Sequence, residues 1–291
     1  MSMLPQLLFT GICIGSIYAL VSLGFVLLIR AANIVNFAQG QFSMLGAYFM
    51  VILFASLGLN YGLSLFLAVV LMAVFGVLFA CVSYWPLRDR NPIAVIISTI
   101  GAGILLDNTV LAAYGPSPQV LRGLFEGEGF LVGPIYMDSQ YLSIIVVTAV
   151  LVSLQYLVFE KTTIGKKIQA TSQDREMAAI LGIPTALIVM GIFAYSAALG
   201  GLAGILIAPI LYVSVGISAL IGVKAFAANI IGGFGSIPGA IFGGLIIGIV
   251  ETLGAAYISV PYRDAFAFII LIIVLLVRPQ GLFGERISEK A

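Results

Sequence analysis

Residues 4–29 of this 291-residue chain read LPQLLFTGICIGSIYALVSLGFVLLI and contain no charged side chain. A helix needs about 20 predominantly apolar residues to cross the hydrocarbon core of a bilayer, so this stretch predicts a membrane span. It has neither a basic start nor a small-residue cleavage site. We therefore interpret it as a retained span and not as a signal peptide.

The composition extends this prediction to the whole chain. Hydrophobic residues make up 62% of the sequence, charged residues 9%, and the mean hydropathy is +1.19, whereas soluble domains carry about 25% charged residues. A net charge of +1 gives no general attraction to nucleic acid. The absence of histidine excludes imidazole catalysis and histidine metal sites. Cys13 and Cys81 both lie in apolar runs, so we expect no disulfide framework.

We predict an all-α polytopic membrane protein with eight or nine transmembrane helices, some of them broken or re-entrant, in one transmembrane domain over residues 1–291. The candidate spans are Leu4–Ile29, Phe42–Gly58, Gly62–Tyr84, Ile93–Tyr114, Tyr141–Phe159, Thr185–Ile207, a broken stretch around Leu211–Ile231, Pro238–Ile258 and Ala265–Val277.

The basic residues predict the orientation, because cytoplasmic loops are enriched in Lys and Arg. A nine-span arrangement places ten of them on one side: Arg30, Arg88, Arg90, Lys161, Lys166, Lys167, Arg175, Arg278, Arg286 and Lys290. Arg122, Lys224 and Arg263 fall on the other side or near it. This favours an outside N-terminus, a cytoplasmic C-terminus and an external loop over residues 115–140. That loop, which contains the acids Glu126, Glu128 and Asp138, is either a plain connector or a platform for an external partner.

A polar island lies in the predicted cytoplasmic loop, residues 160–184. Seven of the 25 charged residues of the chain fall between Glu160 and Glu176. Asp174 is a good helix N-cap, and Glu176 places negative charge in the first turn. Gly182 suits the left-handed position after a helix, and Pro184 prevents continuation. These residues predict a short helix.

The predicted loop helix has one apolar face, since Met177, Ile180 and Leu181 follow an i, i+3, i+4 spacing. A helix of about two turns is marginal in water by itself, so it needs a surface to pack on. One interpretation is a helix that rests on its own membrane domain. The other is a coupling helix that inserts into a cleft on a partner.

Two polar, glycine-containing stretches interrupt the apolar runs. They comprise Asn33, Asn36, Gln39, Gly40, Gln41 and Ser43 in the first, and Gly232, Gly233, Gly235, Ser236, Pro238 and Gly239 in the second. Transporters use broken helices of this kind near their substrates, although two ordinary interfacial loops would look similar. Ser236 is expected to cap the following helix, with Pro238 in its first turn.

Asp107 and Glu251 are the acids that we place deep inside spans. A charge there costs about 2.5–3.5 kcal/mol on insertion scales, so each either locks two helices together or lines a translocation pathway. The candidate pathway residues are therefore Asn33, Asn36, Gln39, Gln41, Asp107, Gly235, Ser236 and Glu251.

Small residues form stripes on two predicted helices. Gly11, Gly15 and Ala19 make one stripe, and Gly244, Gly248 and Ala255 share a face with Glu251. Such stripes allow close helix packing in lipid.

Features of catalysis are absent from the sequence. Gly165-Lys166 lacks the rest of a phosphate-binding loop, and no nucleophile–base pair can be built without histidine. We therefore expect no enzyme activity, no bound metal and no bound cofactor, so active transport would need a motor on another subunit.

Several sequence blocks, in order, resemble the permeases of branched-chain (hydrophobic) amino acid ABC importers over nearly the whole length. They are Gly15-Ser16-Ile17-Tyr18-Ala19-Leu20, Asn36-Phe37-Ala38-Gln39-Gly40, Met44-Leu45-Gly46-Ala47-Tyr48, Gly165-Lys166 with Asp174, Ala178 and Leu181-Gly182-Ile183, Lys224-Ala225-Phe226, Gly232 to Ala240, Gly243-Gly244, and Arg278-Pro279-Gln280-Gly281-Leu282-Phe283-Gly284.

The resemblance implies a permease subunit in a bacterial inner membrane, with a cytoplasmic ATPase on the loop helix and a periplasmic binding protein outside. A second, homologous permease would complete the pore, usually as a heterodimer and alternatively as a homodimer. The residues expected to couple to the ATPase are Asp174, Arg175, Met177, Ala178, Ile180, Leu181 and Gly182.

The resemblance implies a small solute as substrate, foremost leucine, isoleucine or valine, with other amino acids, amides, urea or aromatic acids as alternatives. The family commonly has His and an acid where this chain has Gln39 and Gln41, a departure that could mark a different substrate. An ion-coupled secondary transporter or a passive channel that uses Asp107 or Glu251 is the alternative function.

Overall fold

The computed structural model of the chain describes residues 3–124, 129–132 and 135–284 and consists mainly of helices. The α-helices are α1 (Met3–Ala32), α2 (Gln39–Met50), α3 (Tyr61–Phe79), α4 (Pro92–Tyr114), α5 (Ser139–Lys161), α6 (Thr163–Gln173), α7 (Arg175–Ile180), α8 (Thr185–Leu211), α9 (Gly216–Gly232), α10 (Ile237–Tyr257) and α11 (Arg263–Val277). A π-helical segment, Val51–Ser56, extends α2. A second π segment, Ala80–Tyr84, and a 3₁₀ turn, Trp85–Leu87, extend α3.

Among the described residues, six helices are long and apolar enough to cross a membrane: α1, α3 with its extension to Leu87, α4, α5, α8 and α10. The other predicted spans lie on shorter helices, namely α2 with its π-helical extension, α9 and α11. Every predicted span therefore lies mainly on helix, and the all-α, multi-pass membrane class is confirmed.

The helices are interrupted where the sequence is polar or glycine-rich. Between α1 and α2 the backbone leaves the helix at Asn33, which has a φ of 53°, and between α8 and α9 at Tyr212, with a φ of 60°. Between α9 and α10, Gly233 and Gly235 have φ values of 111° and 81°, which glycine adopts at little steric cost. The first break is shorter than the predicted polar stretch, because the helix already resumes at Gln39.

The predicted external loop contains secondary structure that the sequence analysis did not assign. Strands β1 (Gly129–Val132) and β2 (Ile135–Asp138) pair antiparallel in register. Glu126 and Glu128 of this loop, and the basic residues Arg286 and Lys290, lie outside the described residues.

The chain forms two compact units. The first, which we call the terminal unit, takes the described residues within 1–26, 125–148 and 223–291, and the second, the central unit, takes those within 27–124 and 149–222. Helices α1, α5 and α9 each contribute residues to both units. The prediction of a single domain over residues 1–291 stays a prediction.

In the terminal unit, α1 and α10 approach each other through their small-residue stripes. A Cβ on Gly15 would lie 2.8 Å from the Cα of Leu245, and one on Gly244 would lie 2.5 Å from the backbone nitrogen of Ala19. Gly248 faces the backbone of Gly11 and Gly15 equally closely. The predicted stripes therefore bring two backbones into direct contact, as small residues do between helices in lipid.

In the central unit, α8 packs against α2 and α3. A Cβ on Gly46 would lie 2.6 Å from the carbonyl carbon of Gly201, and one on Gly204 would lie 2.9 Å from the Cα of Ser43 and closer still to its carbonyl. A Cβ on Gly201 would also contact the side chain of Met72 on α3. This glycine contact of α8 is not among the stripes predicted from the sequence.

Contacts within each unit show which helix ends and loops lie close together. In the terminal unit, the Gln6 side chain donates to the Tyr136 carbonyl (3.1 Å) and accepts from the Tyr136 amide (2.9 Å). In the central unit, Arg30 and Glu160 form an ion pair at 2.9 Å, and Gln119 bridges Val213. These pairs join segments that the basic-residue analysis assigned to the same side of the membrane.

Candidate functional site

The first helix break places Gln39 inside the central unit, where it is fully buried and locked to α8. Its Nε2 donates to the carbonyl of Ser196 (3.1 Å), and the Ser196 Oγ donates back to its Oε1 (2.9 Å). This reciprocal pairing satisfies both ends of the amide, so Gln39 holds α2 against α8. The sequence did not identify Ser196, which lies 157 positions away.

Asn33 and Asn36, two other predicted pathway residues, shape the same break. Asn33 adopts the left-handed conformation, which asparagine tolerates better than most residues. Asn36 is buried, and its Oδ1 accepts from the amide of Ala38 (3.0 Å). The Asn36 Nδ2 has no partner among the described residues.

Gln41 and Asp107 are predicted pathway residues whose side chains the structure brings into direct contact. Gln41 Nε2 donates to Asp107 Oδ2 at 3.0 Å, joining α2 to α4. Two buried oxygens of the pair, Gln41 Oε1 and Asp107 Oδ1, have no hydrogen-bond partner in the described part of the chain. A buried acceptor without a donor is costly, so this pair has free capacity for a ligand that donates hydrogen bonds.

Glu251 lies in the terminal unit at the centre of an ionic cluster in which Glu251 and Lys224 are buried, Arg263 is partly exposed and Asp264 is exposed. Its carboxylate accepts from Lys224 Nζ (2.8 Å) and Tyr18 Oη (2.9 Å) and lies 2.6 Å from Arg263 Nε. Lys224 Nζ also donates to Asp264 Oδ1 (2.6 Å). Only 1% of the Glu251 side chain and 3% of the Lys224 side chain are exposed. The two acids and two bases balance in charge.

Glu251 is predicted as a pathway residue from the sequence, whereas its partners are not. The signal was available, because Lys224 sits in an apolar run and a buried cation in a membrane requires a nearby acid. The cluster agrees with the interpretation in which the intramembrane acid locks helices together. It leaves Glu251 with no unpaired charge to offer a solute.

The second predicted break holds Gly235 and Ser236 at the start of α10. Ser236 is the N-cap, and its Oγ accepts from the amide of Gly239 at 3.2 Å. Asn229 Oδ1 accepts from the amide of Gly235 at 3.4 Å. Ser236 and Glu251 belong to opposite ends of one helix, about 22 Å apart at 1.5 Å per residue, so they do not form one site.

The end of the described chain closes over this break. The amides of Leu282 and Phe283 donate to the carbonyls of Ile231 (2.9 Å) and Gly232 (2.8 Å), the last residues of α9. The Phe283 ring stacks on Phe242, with ring centroids 5.2 Å apart. The resemblance included this C-terminal block without giving it a role, and the structure makes it the cap of α9.

The predicted loop helix is α7, and its ends are as expected. Asp174 is the N-cap, and its Oδ1 accepts from the amide of Met177 at 2.9 Å. Gly182 has a φ of 78°. The preceding helix, α6, was missed by the sequence analysis, although Thr162 caps it.

The apolar face of α7 is not packed against the chain's own residues. Met177, Ile180 and Leu181 are 53%, 78% and 72% exposed, whereas Ala178 is 2% exposed. An exposed apolar face of this kind marks a surface that contacts another protein or the membrane. The described residues therefore do not support the interpretation in which this face rests on its own membrane domain.

Arg175, predicted as a contact for a partner, is engaged within the chain. Its guanidinium donates to the hydroxyl of Tyr84, at the end of the π-helical extension of α3. Its Cζ lies 5.8 Å from the centre of the Tyr84 ring. Arg175 thus connects the start of α7 to the end of a membrane-spanning helix. Because the two residues are 91 positions apart, no sequence pattern predicts this contact.

No group of three or more His, Cys, Asp or Glu side chains in the described ranges could hold a metal ion. Cys13 and Cys81 are both free.

Comparison with known proteins assigns the family. The family model for "Branched-chain amino acid transport system / permease component" matches residues 7–275. The chain is 35% identical to the high-affinity branched-chain amino acid transport system permease protein LivH of Escherichia coli strain K12, and 35% identical to the corresponding BraD of Pseudomonas aeruginosa. Both alignments cover 98% of this chain and 97% of the relative.

A solved structure shares the fold at low sequence identity. A chain of PsaBC from Streptococcus pneumoniae, solved in complex with Fab, superposes with a TM-score of 0.52 at 16% identity, over 95% of this chain and 92% of that chain. The match at this identity concerns the fold alone. From the family model and the full-length relatives, the chain belongs to the permease-component family of branched-chain amino acid transport systems.

Proposed function

We propose that this chain is the transmembrane subunit of an ATP-driven ABC importer for a branched-chain amino acid. Family membership supports the class of transporter, and the names of the relatives at 35% identity support leucine, isoleucine or valine as substrate. The observation that carries the ATP-driven mechanism is the uncovered apolar face of α7, which offers a docking surface for an ATPase. The chain needs such a partner because it has no phosphate-binding loop of its own.

We further propose a bacterial inner-membrane location with α6 and α7 in the cytoplasm and the β1–β2 hairpin in the periplasm. The excess of basic residues on one side supports this orientation. The contacts within each unit agree with this grouping of the loops, since Arg30 meets Glu160 and Arg175 meets Tyr84 on the proposed inner side. Gln6 meets Tyr136 on the proposed outer side.

The proposed partners are two cytoplasmic ATPase subunits, a second homologous permease and a periplasmic binding protein that delivers the substrate. The ATPase would cover Met177, Ile180 and Leu181 of α7. Arg175 then acts as a positioning residue, because movement of α7 reaches the end of α3 through Tyr84. A heterodimer with a different permease is the leading arrangement, with a homodimer as the alternative.

Reconstitution tests the proposal as a whole. The permease pair, its ATPase subunits and its binding protein, placed in proteoliposomes, should accumulate labelled leucine only when ATP is present on the ATPase side. Uptake driven by an imposed proton or sodium gradient without ATP would support a secondary transporter instead. The compensated charge of Glu251 argues against this residue as the ion-coupling group, because Lys224 and Arg263 already pair with it.

Charge placed on the exposed face of α7 should uncouple the ATPase. In Ile180→Glu and Leu181→Glu, a carboxylate would be buried in the apolar contact with the partner, where hot-spot residues contribute about 2 kcal/mol or more. We expect at least a tenfold loss of substrate-stimulated ATPase activity with normal membrane insertion. Gln169→Glu, which adds the same charge to an exposed position on α6, is the control. Full coupling in both face variants would reject α7 as the docking helix.

Asp107 is proposed to receive the ammonium group of the substrate together with Gln41. The motive is the pair of unpartnered oxygens, Gln41 Oε1 and Asp107 Oδ1, and charge-assisted hydrogen bonds to a carboxylate contribute about 1.5–3 kcal/mol. Asp107→Asn should therefore lower uptake by roughly tenfold or more, with unchanged complex assembly. Asn108→Ala, on the neighbouring exposed position, is the control. Normal uptake by Asp107→Asn would remove this residue from the pathway.

A further inference from the structure

Gly103, a buried residue of α4, lies against the side-chain amide of Gln41. A Cβ at Gly103 would be 3.2 Å from Cδ, 3.2 Å from Oε1 and 3.3 Å from Nε2 of Gln41. These are the three heavy atoms nearest to that position. Because the three distances are almost equal, the plane of the amide faces Gly103.

This contact differs from those of the other close-packed glycines in the central unit. At Gly46 and Gly204 the nearest atoms are backbone atoms of a neighbouring helix, so those glycines allow two helices to approach each other. At Gly103 the nearest atoms all belong to one polar side chain. The missing side chain at Gly103 therefore makes room for the Gln41 amide, and not for another helix.

Gly103 also lies between two polar contacts on the same face of α4, since residues four positions apart are neighbours on a helix surface. One turn earlier, Thr99 Oγ1 accepts from the amide of Phe37 at 3.2 Å. One turn later, Asp107 Oδ2 accepts from Gln41 Nε2 at 3.0 Å. The Gln41 amide thus lies against Gly103 while it donates to Asp107.

We propose that Gly103 is a positioning residue of the substrate pathway, which sets how closely the Gln41 amide approaches α4 and thereby holds it on Asp107. The inference rests on the proposed function, in which Gln41 and Asp107 receive the ammonium group of the substrate. Gly103 makes no contact with the substrate itself. It fixes the place of Gln41 Oε1, one of the two buried oxygens without a hydrogen-bond partner among the described residues.

The geometry leaves little tolerance. A separation of 3.2–3.3 Å from the Cβ position is shorter than the roughly 3.5–4.0 Å at which non-bonded carbon atoms attract. An alanine at this position would therefore push the amide away from α4. The hydrogen bond to Asp107, at 3.0 Å, would then approach the limit of about 3.2 Å for good geometry.

Gly103→Ala should lower the maximum rate of leucine uptake by roughly fivefold, since a misplacement of 1 Å can cost about 100-fold and this displacement is smaller. The rate is measured in proteoliposomes that contain the complete importer, with leucine-loaded binding protein at saturation. The binding-protein concentration that gives half the maximum rate should not change, because it reports docking outside the membrane.

Gly101→Ala is the matched control. It makes the same replacement on the same helix, at a position where a Cβ meets no atom within 4 Å. Both replacements raise helix propensity by the same amount, so a difference between them reports the contact with Gln41. Uptake by Gly101→Ala should equal that of the unmodified importer.

A double-mutant cycle with Gln41→Ala separates positioning from packing. Without the amide, a Cβ at Gly103 has nothing to displace, so Gly103→Ala should cause no further loss of uptake in the Gln41→Ala background. Residues that act through a direct contact show this kind of non-additivity. A role in helix packing would instead give the same fold loss in both backgrounds, together with a lower midpoint of thermal unfolding.

Two results would overturn the inference: equal uptake by Gly103→Ala and Gly101→Ala, or an equal loss from Gly103→Ala with and without Gln41. If Asp107→Asn loses uptake in the same assay, either result leaves the proposed substrate contact in place. Normal uptake by Asp107→Asn would remove that contact and the role of Gly103 with it.

Discussion

Lys224→Met should be the most damaging single side-chain truncation in the terminal unit. It removes the cation that contacts both Glu251 and Asp264 and leaves the buried Glu251 carboxylate without its buried partner. Breaking a buried ion pair on one side costs about 3–5 kcal/mol. The loss should appear in the free energy of unfolding by SDS titration in mixed micelles and in reduced recovery of folded protein from membranes.

The companion variants separate charge balance from packing. Glu251→Gln alone should also destabilise, because Lys224 and Arg263 then lack their shared acid. The double variant Lys224→Met, Glu251→Gln restores neutrality, and we expect it to recover most of the loss. Asp89→Asn, which breaks an exposed ion pair with Arg88, should cost at most about 1 kcal/mol. Strict additivity of the two single losses would show that these residues do not act as one network.

Gly204→Ala should disrupt the central unit although it adds one methyl group. A Cβ at this position would overlap the backbone of Ser43 on α2, and backbone cannot move aside as a flexible side chain can. Overpacking of this kind costs about 1–3 kcal/mol and occasionally more. We expect the upper end, read as a lower midpoint in thermal unfolding of the purified protein.

The same helix provides the control. Gly191→Ala on α8 meets no atom within 4 Å and exchanges glycine for the best helix former, a gain of about 0.8–1.0 kcal/mol in a helix interior. It should therefore be neutral or slightly stabilising. Equal stability of the two alanine variants would mean that α2 and α8 are not in backbone contact at Gly204.

Local features of this protein could be predicted from its sequence. The caps of α7 at Asp174 and Gly182 and the cap of α10 at Ser236 depend on residues within four positions of each other, and all three are as predicted. The stripe of Gly244 and Gly248 also packs against the small-residue stripe of α1, because only small residues permit so close an approach of two helices.

Long-range partners could not be predicted. Tyr18 and Glu251 are separated by 233 positions, and Gln39 and Ser196 by 157, so no spacing rule connects them. The sequence also marked Gln39, Gln41 and Glu251 as one class of polar residue in apolar surroundings. They differ in how much of each side chain's hydrogen-bonding capacity is used, and only the packing of the helices determines this. Both ends of the Gln39 amide are paired, whereas Gln41 retains an unpaired oxygen.

Burial is also what the sequence could not supply for the two interpretations of α7. The i, i+3, i+4 pattern identifies an apolar face but not what covers it. In the structure Ala178 packs inward and Ile180 faces outward, opposite to the orientation that a loop helix sealed onto its own domain would adopt.

The cap that Leu282 and Phe283 place on α9 has a consequence for biosynthesis. The carbonyls of Ile231 and Gly232 accept hydrogen bonds from backbone amides that lie 51 positions later in the chain. During translation every span is made before those two amides leave the ribosome. The terminal unit can therefore complete its fold only after the whole membrane domain has been synthesised. A nascent chain that stops after α11 would present unsatisfied carbonyls at a helix end, a local defect by which quality-control proteases could distinguish truncated products from finished ones.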